Sequence, residues 1–270
     1  MRPLNRSFRA AVLCGIVACS STADPPRLVL GTTHTVEDSG LLDVLAAAFR
    51  DEHGTEYTLS IVVAGSGEVL TMAGRGDVDA VLSHSPEDEI ALSRAGRAVA
   101  RRAVMHNQFV LAGPATDPAA VRAATSAAQA LARIRDRGAL FVSRGDGSGT
   151  HRKELALWEA AVGGHAWPQY VESGQGMADA LRVASQRRGY ILTDRATFEV
   201  LRPQLDLDIL FEGDSALFNQ YSVLVAADAR NPDGARRLAD WLRSAPVQRL
   251  IAAYGIDATG RALFSPELGR

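Results

Sequence analysis

Apolar positions along the chain switch between two periods, and the switching recurs in a fixed order. A short apolar run at 27–30 leads into the polar turn Gly31-Thr32-Thr33-His34-Thr35, and residues 40–50 then place Leu41, Leu42, Leu45 and Phe49 at helical spacing. Asp38 and Ser39 are the expected caps of that helix, and Gly54 ends it. The plan repeats: a β-branched strand over 57–63 closes in Ala64-Gly65-Ser66-Gly67 before a helix over 68–73, and 79–83 reads as a third strand. Strands separated by helices in this way predict an α/β fold with mainly parallel sheets. Further along, a strand over 109–112 stops at Gly113-Pro114, and a helix over 119–137 leads to a strand over 139–143. Helices over 150–162, 176–187 and 195–201 alternate with strands over 190–193 and 207–211. A strand over 221–226 and helices over 234–244 and 246–254 complete the pattern. No internal repeat at a solenoid period is visible.

The strand at 139–143 ends in the most chemically loaded turn of the chain, Ser143-Arg144-Gly145-Asp146-Gly147-Ser148-Gly149-Thr150-His151. Its glycines remove side-chain bulk at a helix start, so backbone N–H groups can face an anion. Ser148 and Thr150 add hydroxyls, and Arg144 adds a planar, permanent cation. Taken alone, the same residues suit ordinary capping and turn chemistry equally well. The company of the turn changes that balance. In parallel sheets ligands bind beyond the carboxyl ends of strands, where the turns at 32–35 and at Ser66 also lie. Three donor-rich turns of one type favour an anion site. No lysine follows the glycines in Walker fashion, so a nucleotide P-loop is not supported, and neither Ser66 nor Ser148 stands in a hydrolase nucleophile elbow. The Arg144-Gly145-Asp146 tripeptide leaves an adhesive loop as a competing reading, one that requires the tripeptide to be exposed.

The amino terminus reads as a secretory signal over 1–18: Arg2, Arg6 and Arg9 precede an apolar run too short to span a bilayer. Ile16-Val17-Ala18-Cys19 resembles a lipobox, which makes Cys19 the expected lipidation site and 19–26 a tether; ordinary cleavage a few residues later is the alternative. An exported location, periplasmic or at the cell surface and anchored to the membrane through lipid, follows. Cys14 falls within the signal, so the mature domain has no disulfide. Removing 1–18 leaves 26 basic against 31 acidic residues, a net charge of −5. Such a surface offers no long-range attraction to nucleic acid, and any anion must be held by a few aimed donors. The six histidines show no metal-ligand spacing, so neither a metal nor a cofactor is expected.

Several ordered motifs now coincide: Thr32-Thr33-His34-Thr35 with Asp38-Ser39-Gly40, Gly65-Ser66-Gly67, Ser83-His84-Ser85-Pro86, the 143–151 turn, Glu172-Ser173-Gly174-Gln175-Gly176-Met177, Thr193-Asp194-Arg195 and Asn219-Gln220-Tyr221-Ser222. Together they resemble the tungstate-binding proteins of bacterial ABC uptake systems, over essentially the whole mature chain. The resemblance implies a two-lobed α/β periplasmic binding protein, type II-like, closing on a tetrahedral oxyanion in the cleft between its lobes. It implies two crossings, with 27–112 plus 219–270 as the first lobe and 113–218 as the second. It also implies an ABC permease as partner and a monomer as the working unit. The family's Thr-Thr-Thr-Ser motif falls on 32–35, where His34 and Thr35 depart from it. Phosphate-binding proteins carry a similar Arg-x-Asp-Gly-Ser-Gly-Thr, which keeps phosphate open as a ligand.

On this reading Thr33, Thr35 and Ser66 form one wall, and Arg144, Ser148, the Gly149 N–H and Thr150 the other, with His34 and Asp146 behind them. Asp146 orients Arg144 by ion pairing. Phosphate keeps a proton near neutral pH and benefits from a carboxylate acceptor, whereas tungstate and molybdate have none to give. The expected order is therefore tungstate, molybdate, phosphate. An enzyme, for instance a phosphatase with Ser148 as nucleophile, would need a base beside that serine, and His151 is the sole candidate in the turn.

Overall fold

The computed structural model describes residues 24–267. The signal segment, Cys19 and the tether as far as residue 23 lie outside the described residues. The first half of the chain runs β1 (Arg27–Thr33), α1 (His34–Asp38), α2 (Leu41–His53), β2 (Thr58–Ala64), α3 (Ser66–Gly74), β3 (Ala80–Ser83), α4 (Pro86–Arg94), β4 (Ala98–Gly113), α5 (Ala127–Asp136) and β5 (Phe141–Ser143). It continues with α6 (Gly149–Val162), β6 (Tyr170–Glu172), α7 (Met177–Arg187), β7 (Ile191–Asp194), α8 (Arg195–Leu201), β8 (Asp208–Phe211), β9 (Phe218–Ala226), α9 (Pro232–Leu242), α10 (Ala245–Ala253), α11 (Ile256–Thr259) and β10 (Ser265–Pro266).

The strands form two lobes. In the first, the order is β2-β1-β3-β9-β4-β10, with β1 parallel to β2 and β3, and with β9 antiparallel to β3 and β4. Alternate residues serve opposite faces, as the two-residue period of a strand requires. Leu28, Leu30, Ala80, Leu82, Val223 and Val225 pack with α2, α9 and α10, while Val29, Val81 and Leu224 pack with α3. In the second lobe β7 and β8 both pair antiparallel with the end of β4, and β5 runs parallel to β6 and to the start of β7 at Tyr190. The parallel strands carry the turns of interest, and the two crossing strands add the antiparallel pairings.

β4 is the main departure from the apolar pattern. It is a 16-residue strand whose first part escapes a search for apolar runs, because Arg101, Arg102, Asn107 and Gln108 interrupt it. Ala100 sits at φ 53 and the pairing with β9 shifts register twice, between Val99 and Arg102 and between Ala103 and Met105. Such bulges bend and twist a strand. β4 pairs with β9 as far as Gln108 and with β7 and β8 from Phe109, so the change of sheet falls a few residues before the expected boundary at 112/113.

Two other local expectations need correction. The helix expected over 119–137 begins only at Ala127: the Asp117 carboxylate accepts the N–H groups of Val121 and Arg122, Ala120 takes a left-handed φ of 55, and Ser126 caps the true start by accepting from Gln129 N–H. Neither Asp38 nor Ser39 is the N-cap of α2, a place held by Gly40 at φ 77. Asp38 instead ends α1, which packs against α7 across the lobes.

α6 is fixed beneath its own turn by a buried acid. Glu154 is 1 % exposed and accepts the Tyr170 hydroxyl at 2.6 Å. Burial pushes its pKa up to about 7. The folded state thus favours the protonated acid, and the stability this confers is complete below the ordinary carboxylate range and is lost as pH rises toward 7. Glu154→Gln is therefore expected to gain on the wild type as pH increases from 5 to 8, by up to roughly 3 kcal/mol in urea unfolding. A stability difference that does not change with pH would contradict this.

Candidate functional site

The parallel strands of both lobes aim their carboxyl ends at one cleft. In the first lobe Thr33 lies opposite Ala64 and Thr32 opposite Leu82, so the turns into α1, α3 and α4 share an edge. In the second, the ends of β5, β6 and β7 bring up residues 144–148, 174–176 and Asp194. Helix starts carry unpaired N–H groups and the positive end of the helix dipole. The starts of α3 and α6 meet almost directly: a Cβ on Gly149 would stand 2.8 Å from Ser66 Oγ and 3.3 Å from His84 Cε1, so only glycine permits this approach.

Thr33, Thr35, Ser66 and His84 from one lobe and Arg144 and Ser148 from the other line a single pocket. Arg144 is the decisive member, with 2 % of its surface exposed. Its Nη2 pairs with Asp146 Oδ2 and its Nε donates to the Gln175 carbonyl at 3.4 Å, while Nη1 has no partner among the described residues. Asp146 Oδ1 also accepts from Ser148 N–H at 3.1 Å. Burial pushes this carboxyl up, but the Arg144 charge and the Ser148 bonds outweigh it and hold Asp146 below the ordinary range. Ser148 caps α6 by accepting from His151 N–H, which leaves its own proton to donate. Ser66 Oγ is buried and has no hydrogen-bond partner among the described residues. Buried polar atoms are ordinarily paired, so an orphan here marks a place for an acceptor.

Not every residue expected at the site lies against this pocket. Thr150 is fully buried with its hydroxyl unpartnered, but it is not among the lining residues. Gly149 enters through the close approach just described. His34, half exposed and 3.5 Å from Glu37, does line the pocket at its rim and also borders an adjoining outer cleft with Asp146 and Gln175. Thr32 donates to the Leu82 carbonyl and serves the sheet.

Sequence reasoning did not select His84 as a site residue, although it follows β3 on the same edge as the other turns. It is 4 % exposed, its Nε2 lies 3.0 Å from Thr35 Oγ1 and its Nδ1 3.0 Å from Asn219 Oδ1. Burial lowers its pKa to about 4, so the imidazole is neutral at pH 7. Asp194 caps α8 by accepting from Thr197 N–H, with burial raising its pKa to about 6, and Arg195 pairs with Glu199 and Glu212. The arrangement around Ser148 does not resemble a hydrolase. His151 Nδ1 accepts from Gly147 N–H at 2.9 Å, and Ser148 Oγ accepts from the His151 backbone N–H. The burial of Arg144 also removes the adhesive reading, which needs it displayed.

Comparison with known proteins agrees with this geometry. A family model described as a PBP superfamily domain matches residues 20–246. The chain is 37 % identical over 249 residues to the tungstate-binding protein TupA of Peptoclostridium acidaminophilum, covering 90 % of this chain and 86 % of that one. The crystal structure of the tungstate ABC transporter from Geobacter sulfurreducens superposes with a TM-score of 0.76 at 39 % identity, over 84 % of this chain and 98 % of that one. The tungstate-binding protein TupA from Desulfovibrio alaskensis G20 gives 0.75 at 38 % identity, over 89 % and 98 %. With a two-lobed α/β fold, a pocket of donors at the lobe junction and this identity over most of its length, the chain belongs to the TupA family within the periplasmic-binding-protein superfamily.

Proposed function

We propose that the protein captures a tetrahedral oxyanion between its lobes, tungstate foremost, and delivers it to the permease of an ABC importer. The observation that carries this reading is the buried Arg144 guanidinium, held by Asp146 on one side and lining a pocket whose donors come from both lobes. A dianion leaving water loses a large hydration energy, and charge-assisted hydrogen bonds worth roughly 1.5–3 kcal/mol each must replace it. Arg144 Nη1, the Ser66 and Ser148 hydroxyls, one proton of the Thr33–Thr35 hydroxyl pair and the N–H groups at the starts of α3 and α6 are suited to that task. Thr150 contributes through the backbone of the α6 start, and His34 guards the rim. Asp146 is engaged by Arg144 and Ser148, which favours a ligand without a proton and ranks tungstate and molybdate above phosphate. The protein acts by binding and closure and catalyses no reaction. It works as an exported monomer, held to the membrane by lipid at Cys19.

Two measurements test this. In a thermal-shift titration of the mature domain, micromolar tungstate is expected to raise the melting temperature, molybdate to follow, and phosphate and sulfate to act weakly. No response to tungstate sinks the proposal. Arg144→Ala is expected to weaken tungstate binding at least a hundredfold while leaving the folded spectrum intact. Gly149→Ala, whose methyl would meet Ser66 Oγ and His84, is expected to weaken binding about tenfold by holding the lobes apart; unchanged affinity would show that the wall yields.

A further inference from the structure

Behind the pocket runs a chain of buried hydrogen bonds that ends on one of its hydroxyls. Asn107 and Asn219 face each other in register on β4 and β9, with Asn107 Oδ1 2.7 Å from Asn219 Nδ2. That Nδ2 also lies 3.2 Å from the Tyr221 hydroxyl. Asn219 Oδ1 is 3.0 Å from His84 Nδ1, His84 Nε2 is 3.0 Å from Thr35 Oγ1, and Thr35 Oγ1 is 2.9 Å from Thr33 Oγ1. His84 stacks on Tyr221 at 4.9 Å, so its ring cannot turn freely. Oxygen and nitrogen of a carboxamide occupy equivalent positions, and a neutral imidazole carries one proton on either nitrogen, so the same heavy atoms admit two polarities.

In the first polarity His84 Nδ1–H donates to Asn219 Oδ1. Nε2 then accepts the Thr35 proton, and Thr35 turns lone pairs toward the pocket. Asn219 donates to Asn107 Oδ1, and the buried Asn107 Nδ2 is left with no acceptor. In the second, both carboxamides are turned over. Tyr221 O–H and Asn107 Nδ2–H donate to Asn219 Oδ1, Asn219 Nδ2–H donates to His84 Nδ1, and His84 Nε2–H donates to Thr35. Thr33 donates to Thr35 Oγ1 in turn, and the Thr35 proton is then free for the pocket. Each carboxamide nitrogen then has an acceptor for one of its two N–H groups, and the atom left with no partner is a carbonyl oxygen of Asn107 instead of a nitrogen; a buried nitrogen without any acceptor is rarer than an under-used oxygen.

The geometry points to the second polarity: His84, as the Nε2–H tautomer held by the Asn107–Asn219 pair, is a positioning residue that makes Thr35 a hydrogen-bond donor to the bound oxyanion. The inference rests on the oxyanion reading of the pocket and deepens it. It explains how Thr35, standing against an imidazole nitrogen, can still face a dianion. It also adds a reason for preferring an unprotonated ligand, since in this polarity Thr35 offers the pocket a proton.

The tautomer is read directly by nitrogen-15 NMR of the histidine side chains in the labelled mature domain, with the His84 signal identified by its loss in His84→Gln. The expected result is a protonated Nε2 and an unprotonated Nδ1, both free and with saturating tungstate. The reverse assignment overturns the relay even where tungstate binds, and the free-protein spectrum decides the matter even where it does not. Affinities supply a second readout. Thr35→Val and His84→Leu are each expected to weaken tungstate binding roughly tenfold, with the double variant no weaker than Thr35→Val alone. Losses that multiply would show that His84 does not act through Thr35.

Discussion

A guanidinium with 2 % of its surface exposed is the constraint around which the rest of the second lobe is arranged. Removing such a charge from water costs several kcal/mol unless it is paired. Asp146 supplies the countercharge from two residues away, which is possible because Gly145 and Gly147 both take positive φ, at 63 and 69, and fold the turn back on itself. Gly145 has a second reason to be glycine, since a Cβ there would stand 2.6 Å from Glu172 Cβ. The Gln175 carbonyl takes Nε, and Ser148 N–H holds the other carboxylate oxygen. One side of the guanidinium is thus neutralised within its own lobe, and the side left over lines the pocket. The paired cation and carboxylate nearly cancel, so selectivity for a dianion rests on hydroxyls and helix starts rather than on net positive charge. That agrees with a chain of net charge −2.

The parts of this arrangement that were legible in the sequence are those built from neighbours. The 143–151 turn, the Gly65-Ser66-Gly67 turn and the threonines at 32–35 advertise themselves because strand, donor-rich turn and helix follow within a dozen residues. Their joint use followed from the carboxyl-edge rule for parallel strands. What stayed hidden depends on partners far apart in the chain. His84 looks like any polar residue after a strand until Asn219, Asn107 and Thr35 surround it. Asp38 passes for a helix cap until the start of α7 arrives from the other lobe. The first part of β4 lacks an apolar run because its residues face a rim, ion pairs and the lobe junction in turn, as Arg101 with Glu89 and Arg102 with Asp240 show. The helix expected over 119–126 fails for a local reason that composition obscures: alanine favours helix, but one aspartate can take the first N–H groups for itself.

The crossing strands connect these two kinds of feature. β4 and β9 are hydrogen-bonded neighbours up to the point where β4 changes sheet, and Asn107 and Asn219 are the last pair but one before that point. The residues that join the lobes are therefore the same ones that reach His84 and, through it, Thr35. On the opposite side of the pocket Arg152 on α6 pairs with Asp88 on α4, and Asp88 also accepts from Ser85, immediately after His84. His84 is consequently held on one flank by the strand crossing and on the other by a turn tied to the second lobe. Any relative movement of the lobes must load both flanks before it reaches the threonines. Packed interiors switch between discrete arrangements rather than deform smoothly. The site wall of the first lobe is thus mechanically part of the lobe junction, and on the proposed function a dianion that completes the pocket would act on the closure of the whole molecule through those same contacts.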